Sequence, residues 1–275
     1  MVYLPTIPNA MSDPLVITTL TDSLLEITIN RPTSRNSLNA ATIEELTSAF
    51  TTAADTQARC ILLFGAGTEA FCAGADLAEL ASKKTPSERR AFFASIAALF
   101  QAIHECPLPV VGMVHGFALA GGCGLAAACD ITIASEEAQF CLPESAIGLA
   151  PMVVLAPIAR AIGPKGLARL AFTAERITAG QALTYGLISE IVPKKDLYAR
   201  ARDLCNTICL RGPGAVQAAK VALREVNQHD YLSSLRELAD RSALVSISDE
   251  ACEGIQAFLD KRSPSWRPAA AKENS

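Results

Sequence analysis

Phe71-Cys72-Ala73-Gly74-Ala75-Asp76 and Ala118-Leu119-Ala120-Gly121-Gly122-Cys123-Gly124 decide how this chain is read, and a lone acid follows them in Leu142-Pro143-Glu144. Both stretches are built of residues with little or no side chain, so each lets something approach the backbone closely. Ahead of the first lies Cys60 to Phe64, a short continuous apolar run that suits a strand buried on both faces, broken by Gly65-Ala66-Gly67. Ahead of the second lies Val110 to His115, ended by Gly116, and after it comes a third such run, Ile131 to Ala134. Leu119 to Cys129 is a poor helix by composition, and its Gly and Ala fit a helix that must be closely approached. Three buried strands, each followed by a turn and a helix, predict an α/β protein of successive β–β–α units.

Working outward, Val16 to Leu20 and Leu24 to Asn30 read as a hairpin around Thr21-Asp22-Ser23. Asn39 is an N-cap for a helix from Ala40 to about Ala54, with Ile43, Leu46, Ala49, Phe50 and Ala53 on one face. Asp76 to Ala81 reads as a helical turn, and Pro86 opens a helix over Ser87 to Glu105. Pro143 and Glu144 open a further helical region, which Gly148, Pro151, Pro157 and Gly163 are expected to keep irregular, Ala146 to Ala161 above all. Thr178 caps a short helix that Gly186 ends, and Leu187 to Val192 reads as a strand. Residues 194–210, 213–229 and 231–261 then read as three helical segments with no strand between them. The resulting division is an N-terminal extension (1–14), a core (15–193), a helical assembly region (194–265) and a flexible tail (266–275).

The chain has 275 residues, half of them apolar, with a formal net charge of -4. That balance argues against nucleic acid as a partner, since a phosphate-tracking surface is basic. Residues 1–14 hold no Arg or Lys and no long apolar run, so neither a secretory signal nor a basic transit peptide is expected there. No run is long and apolar enough to predict a membrane span. Nine cysteines without a C-x-x-C pair read as buried, reduced thiols, which predicts a cytoplasmic, reducing compartment and no metal.

Gly65-x-Gly67-x-x-Ala70 follows a strand, yet no helical pattern begins in it, so a nicotinamide site is not expected. At Ala73-Gly74-Ala75-Asp76, a tight turn with a capped helix competes with a ligand-binding turn that presents the Ala75 N–H. Gly121-Gly122 heads a helix, where N–H groups are unpaired and carry partial positive charge; close helix–strand packing would also demand small residues. Two such N–H groups converging on one oxygen would form an oxyanion hole. Glu144 sits among Phe140, Leu142, Ala146, Ile147 and Leu149, where a carboxyl would have a raised pKa suited to proton transfer, or could be a solvated helix-start acid. Asp130, Glu136 and Glu137 compete as acids. No G-x-S-x-G elbow accompanies His104, His115 or His229.

Taken in order, several stretches resemble the crotonase, or enoyl-CoA hydratase/isomerase, superfamily. They are Ile29-Asn30-Arg31-Pro32 with Asn36-Ser37-Leu38-Asn39, Ala70 to Leu77, Val114 to Cys123, Cys129-Asp130-Ile131, Ala138-Gln139-Phe140, Thr178 to Ala182, Tyr185 to Ile188, and Phe258 to Arg262. The resemblance implies a crotonase-like spiral of β–β–α units with a C-terminal helical trimerisation region, assembled as a homotrimer or a dimer of trimers. It implies an acyl-CoA thioester as ligand, with no cofactor beyond the coenzyme A of the substrate. Ala75 and Gly121 resemble the two oxyanion donors, and Glu144 the acid/base. Arg35, Ala73, Gly74, Asp76, Leu77 and Gly122 lie where the family holds coenzyme A, and Lys261 where a C-terminal lysine reaches its phosphates.

One departure matters. Two-acid hydratases of this family carry a first Glu shortly after the glycine pair, where this chain has Gly124. A single carboxylate suits a 3-enoyl to 2-enoyl proton shift, and hydration through Glu144 alone stays open. Two further alternatives are an acyl-CoA hydrolase or decarboxylase of the same fold and an acyl-CoA-binding protein without catalysis. Few strongly polar residues stand in the segments expected to line the acyl pocket, which points to an apolar acyl group.

Overall fold

The computed structural model of the chain describes residues 14–226 and 230–267. Strands β1 (Val16–Thr21) and β2 (Leu24–Ile29) form the expected antiparallel hairpin. Helix α1 (Ala40–Thr52) starts at Asn39, whose side chain accepts from the Thr42 N–H at 2.9 Å, and it buries Ile43, Leu46 and Phe50. Strand β3 (Cys60–Gly65) is buried along its whole length, as its unbroken apolar run requires. After β4 (Ala70–Cys72) come α2 (Leu77–Ser82) and α3 (Pro86–Glu105), the latter opened by a reciprocal cap between Thr85 and Glu88. Next in order are β5 (Val110–Val114), β6 (Phe117–Leu119), α4 (Gly121–Ala128), β7 (Ile131–Ser135) and β8 (Gln139–Cys141).

The helical region expected to be irregular resolves into two regular helices, α5 (Met152–Ala161) and α6 (Pro164–Thr173). Pro157 lies inside α5 and Pro164 opens α6, a position where a missing N–H has no helical partner to lose. Strand β9 (Ile177–Thr178) leads into α7 (Ala179–Tyr185), capped by Thr178 with Gln181 and ended at Gly186 with φ 84°. Strand β10 covers only Glu190–Val192. The helical end of the chain holds four helices among the described residues, not three: α8 (Leu197–Cys209), α9 (Pro213–Glu225), α10 (Tyr231–Ser246) and α11 (Asp249–Leu259). Ser248 caps α11 and so divides the segment expected to be continuous.

Two sheets result. The larger runs β1-β2-β3-β5-β7-β10, parallel except for the hairpin. The smaller runs β4-β6-β8-β9, with β4, β6 and β8 parallel and only three residues long each. One buried cluster joins Ile27, Ile61 and Leu63 of the large sheet to Phe71 and Phe140 of the small one and to α1, α3 and α4. On the other face of the large sheet, Leu62, Val111 and Met113 pack against Leu197, Ala201 and Cys205 of α8. Packing therefore does not change at residue 194, because α8 completes the core.

The expected extension lies outside the described residues apart from Pro14, and the expected tail apart from Trp266 and Arg267. Those two are held in place: Arg59 donates to the Trp266 carbonyl at 2.9 Å, and Arg267 donates to that of Leu210 at 3.3 Å. Among the described residues no helix is long and apolar enough to cross a membrane.

Candidate active site

The small sheet acts as a ruler. Its pairing puts Cys72 opposite Ala118 and Leu119 opposite Cys141, so β4, β6 and β8 end at one level. Each strand end runs directly into one of the three features singled out in the sequence: Ala73-Gly74-Ala75, Ala120-Gly121 and Leu142-Pro143-Glu144. A further bond, from the Ala120 N–H to the Cys141 carbonyl at 2.9 Å, ties the second turn to the third.

At the first turn, Leu38 donates to the Gly74 carbonyl at 2.7 Å and Asp76 donates to the Leu38 carbonyl at 2.9 Å. In this parallel bridge the Ala75 N–H points away from Leu38, and it meets no acceptor among the described residues. The Gly121 N–H, in the first turn of α4, likewise meets none. The two turns touch. A side-chain carbon on Gly74 would lie 2.6 Å from the Ala120 Cβ, and one on Gly121 would lie 3.6 Å from the Ala75 nitrogen. Gly74 has φ 90°, and Ala120 is held at φ 48° and ψ −118°, a conformation that L residues rarely adopt. Backbone strain and a missing Cβ thus bring together two turns that each carry a free donor.

Glu144 follows in a short 3-10 turn, Pro143–Ile147. Its Oε2 is buried and has no hydrogen-bond partner. Burial pushes its carboxyl above the ordinary value near 4.5. Its charge is felt at the buried thiols of Cys123 and Cys141, which burial first and Glu144 next push up. An orphaned, half-buried carboxylate at the third of three aligned strand ends, the other two of which lead into unpaired N–H groups, has the chemistry to take a proton from carbon.

Comparison with known proteins agrees with this geometry. The family model described as enoyl-CoA hydratase/isomerase matches residues 19–269. The 2,3-dehydroadipyl-CoA hydratase of Escherichia coli K12 is 32% identical over 245 residues, covering 89% of this chain and 95% of that protein. The crotonyl-CoA hydratase of Syntrophomonas wolfei is 34% identical, covering 88% and 93%. The crystal structure of a Mycobacterium smegmatis enoyl-CoA hydratase superposes with a TM-score of 0.89 at 30% identity, covering 92% of this chain and 99% of that one.

The chain belongs to the enoyl-CoA hydratase/isomerase family.

Within this crotonase fold, the place of the first family Glu is closed. A Cβ on Gly124 would meet the Phe100 ring at 2.7 Å and Val154 at 3.1 Å. Glycine here is filled in by apolar neighbours rather than leaving room for a second acid. Gly122 also serves packing, since its Cβ would lie 2.0 Å from the Cys72 carbonyl oxygen.

Asp76 caps α2 through the Glu79 N–H, and its carboxylate pairs with Arg31 at 3.0 Å. Burial alone would push the Asp76 carboxyl up, but the Glu79 N–H of the cap, then Arg31 and Ser37, outweigh it and hold Asp76 below the ordinary carboxyl range. Arg35 accepts from the Ala73 N–H through its carbonyl, so it lies against the first turn. Its guanidinium is exposed and pairs with Glu69 at 2.7 Å. Leu77 is exposed. Lys261 is exposed behind α11, whose contacts run to α10, to the start of α9 and to Trp266; none of the described contacts joins it to the first turn.

Two of the three competing acids have structural partners for their side chains. Asp130 takes the Val110 N–H and the Lys220 ammonium, both at 2.7 Å, and Glu137 pairs with Lys194. His115 is buried with both ring nitrogens unpartnered, and burial pulls it down to about 4. His229 lies outside the described residues.

The Gly65-Ala66-Gly67 stretch holds no nucleotide-type helix. Gly65 is small because Asn36 and the Phe71 carbonyl press on it. Asn36 is itself fully buried, bonding the Arg31 N–H and the Ala66 and Ala70 carbonyls. Its part in anchoring β4, like that of Phe100 at Gly124, was not readable from sequence spacing. Among the described residues no group of His, Cys, Asp and Glu is arranged to hold a metal.

Proposed function

We propose that this chain is an enoyl-CoA hydratase/isomerase that works with one carboxylate. The observation that carries this reading is the orphaned Glu144 oxygen just past the end of one parallel strand, with the free donors of Ala75 and Gly121 just past the ends of the other two. The donors bind the thioester oxygen and stabilise the enolate that forms when a proton leaves C2, each worth about 3 kcal/mol in comparable sites. Glu144 removes that proton and returns it at C4, which moves the double bond from the 3- to the 2-position. In hydration the same carboxylate orients water toward C3 and delivers the proton to C2. Closure of position 124 by Phe100 and Val154 favours the isomerase step, because no second acid holds the water. The names of the hydratase relatives favour hydration.

Coenzyme A, the only cofactor-like group required, would run past Arg35 and across Ala73 to Leu77. Arg35 can leave its exposed pair with Glu69 to meet a phosphate. Lys261 would reach the phosphates from a neighbouring subunit. Exposed Tyr231, Leu232, Leu244, Ile247 and Phe258 on the last helices and their junction support a homotrimer or a dimer of trimers. Seven of the nine thiols are buried and none is bridged, in keeping with a reducing, cytoplasmic setting.

The test is an assay with crotonyl-CoA and with 3-hexenoyl-CoA, each beside Glu144→Gln. Loss of enoyl absorbance from crotonyl-CoA means hydration; gain from 3-hexenoyl-CoA alone means isomerisation. Full activity in the variant would remove Glu144 from the mechanism. Light scattering on the same preparation reads the oligomer.

A further inference from the structure

The first donor turn hangs on a loop that comes from the other sheet. Strand β2 of the large sheet ends at Ile29, and residues 31–38 then cross to the turn. Leu38 donates to the Gly74 carbonyl at 2.7 Å and accepts from the Asp76 N–H at 2.9 Å, so both neighbours of Ala75 are pinned. The Arg31 guanidinium closes this arrangement into a ring. Its Nη1 donates to the Ser37 carbonyl at 2.6 Å and to the Ser37 hydroxyl at 3.0 Å, and its Nη2 donates to the Asp76 carboxylate at 3.0 Å. Asn36, fully buried at φ 55°, accepts from the Arg31 N–H at 3.0 Å and holds the loop's bend. None of the described hydrogen bonds of Arg31 reaches Ala75, Gly121 or Glu144 directly.

Charge gives the Arg31–Asp76 contact a second meaning. Asp76 directly follows the donor Ala75, and its lowered pKa keeps it ionised at neutral pH against the pull of burial. The pair is shielded, with 16% of the Arg31 side chain and 18% of the Asp76 side chain exposed. Glu79, the other acid of the first turn of α2, has its own cation in Lys83 at 3.0 Å. An oxygen held by the Ala75 N–H gains negative charge as an enolate forms. The carboxylate of the next residue stands on the order of 8 Å from that oxygen. At an effective dielectric of about 20, an unpaired carboxylate at that separation disfavours the enolate roughly 10–30-fold, the lower figure allowing for screening. Removing one partner of a shielded pair leaves such an uncompensated charge.

We propose that Arg31 is a positioning residue for the reaction: it cancels the charge of Asp76 beside the first oxyanion donor, so that the enolate forms there without repulsion. Its other bonds, to Ser37, keep the guanidinium against that carboxylate. This inference rests on the acyl-CoA reading above.

The experiment takes the unaltered protein, Arg31→Gln, Arg31→Lys, Asp76→Asn and the double variant Arg31→Gln/Asp76→Asn. Asn at position 76 keeps the α2 cap while removing the charge. Turnover is read on crotonyl-CoA and 3-hexenoyl-CoA. Affinity is read by calorimetry for acetoacetyl-CoA, which ionises to an enolate, and for butyryl-CoA, whose thioester stays neutral. Arg31→Gln should lower kcat roughly 10–30-fold and weaken acetoacetyl-CoA by a similar factor, with butyryl-CoA within about threefold. Arg31→Lys and Asp76→Asn should each keep kcat within about threefold, and the double variant should recover to the level of Asp76→Asn. A double variant as slow as Arg31→Gln overturns the proposal, since Arg31 would then be a strut and not a counter-charge. Equal weakening of the two ligands in Arg31→Gln overturns it too, as does a kcat left unchanged there. Where Arg31→Gln fails to fold, a folded Arg31→Lys that has lost its kcat overturns the proposal, and one that keeps it supports it. Silence of the unaltered protein on both substrates overturns the enoyl reading alone, because the ratio of the two affinities still decides the part of Arg31. Binding of neither ligand overturns the acyl-CoA reading and this inference with it.

Discussion

The two sheets of this protein do different work. The large sheet has strands of three to six residues, its central ones buried on both faces, and no residue of the candidate site lies on it. The small sheet has strands of only two or three residues, yet its three parallel strands end in the two donor turns and the acid. Stability is concentrated in one sheet and alignment in the other. Damage to the first should therefore unfold the molecule, and damage to the second should silence a molecule that still folds.

The largest effect is expected at the acid itself. Glu144→Gln should reduce turnover about 10²–10⁴-fold, the range for a lost general acid–base, while coenzyme A binding measured by calorimetry is retained. Next comes Gly122→Ala. A methyl group driven into the Cys72 carbonyl would shift α4 along β4, and a displacement of that kind costs about 10²-fold in rate, with the far-ultraviolet spectrum unchanged. Leu63→Ala, in the fully buried centre of β3, should lower the urea-derived stability by about 2–5 kcal/mol yet leave kcat of the folded fraction alone. If Leu63→Ala reduced kcat as Gly122→Ala does, the division of labour between the sheets would fail.

A pH experiment sharpens the same contrast. Because Glu144 is raised in the folded state, the folded chain binds its proton more tightly than the unfolded chain does. Charging it costs stability, so this group's contribution falls as pH rises from the ordinary carboxyl value through the raised one. Glu144→Gln should raise Tm at neutral pH, and the gain should vanish as the pH drops below the ordinary value. The base-dependent rate should rise with pH over the same window. The smallest expected effect is that of Asp76→Ala, which removes the α2 cap and the Arg31 pair at about 1 kcal/mol, seen as a modest loss of Tm with a higher KM.

Elements with a strong local signal were readable in the sequence. The hairpin, β3, α1 with its Asn39 cap and α7 between Thr178 and Gly186 all follow from period, caps and breakers. The small sheet was not readable: strands of two or three residues are shorter than any periodicity, and their order comes from pairing between distant segments. The region of α5 and α6 was readable as helical but not as two regular helices, because Pro164 sits at a helix start and Pro157 is tolerated inside a short helix. Glu144, Ala75 and Gly121 could be singled out from small-residue turns and an apolar setting. The closure of Gly124 could not, because Phe100 and Val154 arrive from two other helices. Nor could the packing of α8 into the core, which polar residues on its outer face conceal in the sequence.

Ala75 and Gly121 would serve the substrate through main-chain N–H groups, and every residue type except proline carries that group. Thioester activation is thereby insulated from side-chain drift so long as Gly74 and Ala120 keep the turns in shape. Glu144, and the second acid whose place Gly124 takes, have no such insulation. Lineages of this fold can gain, lose or relocate a carboxylate and so change which bond is made, while inheriting the enolate-stabilising step intact.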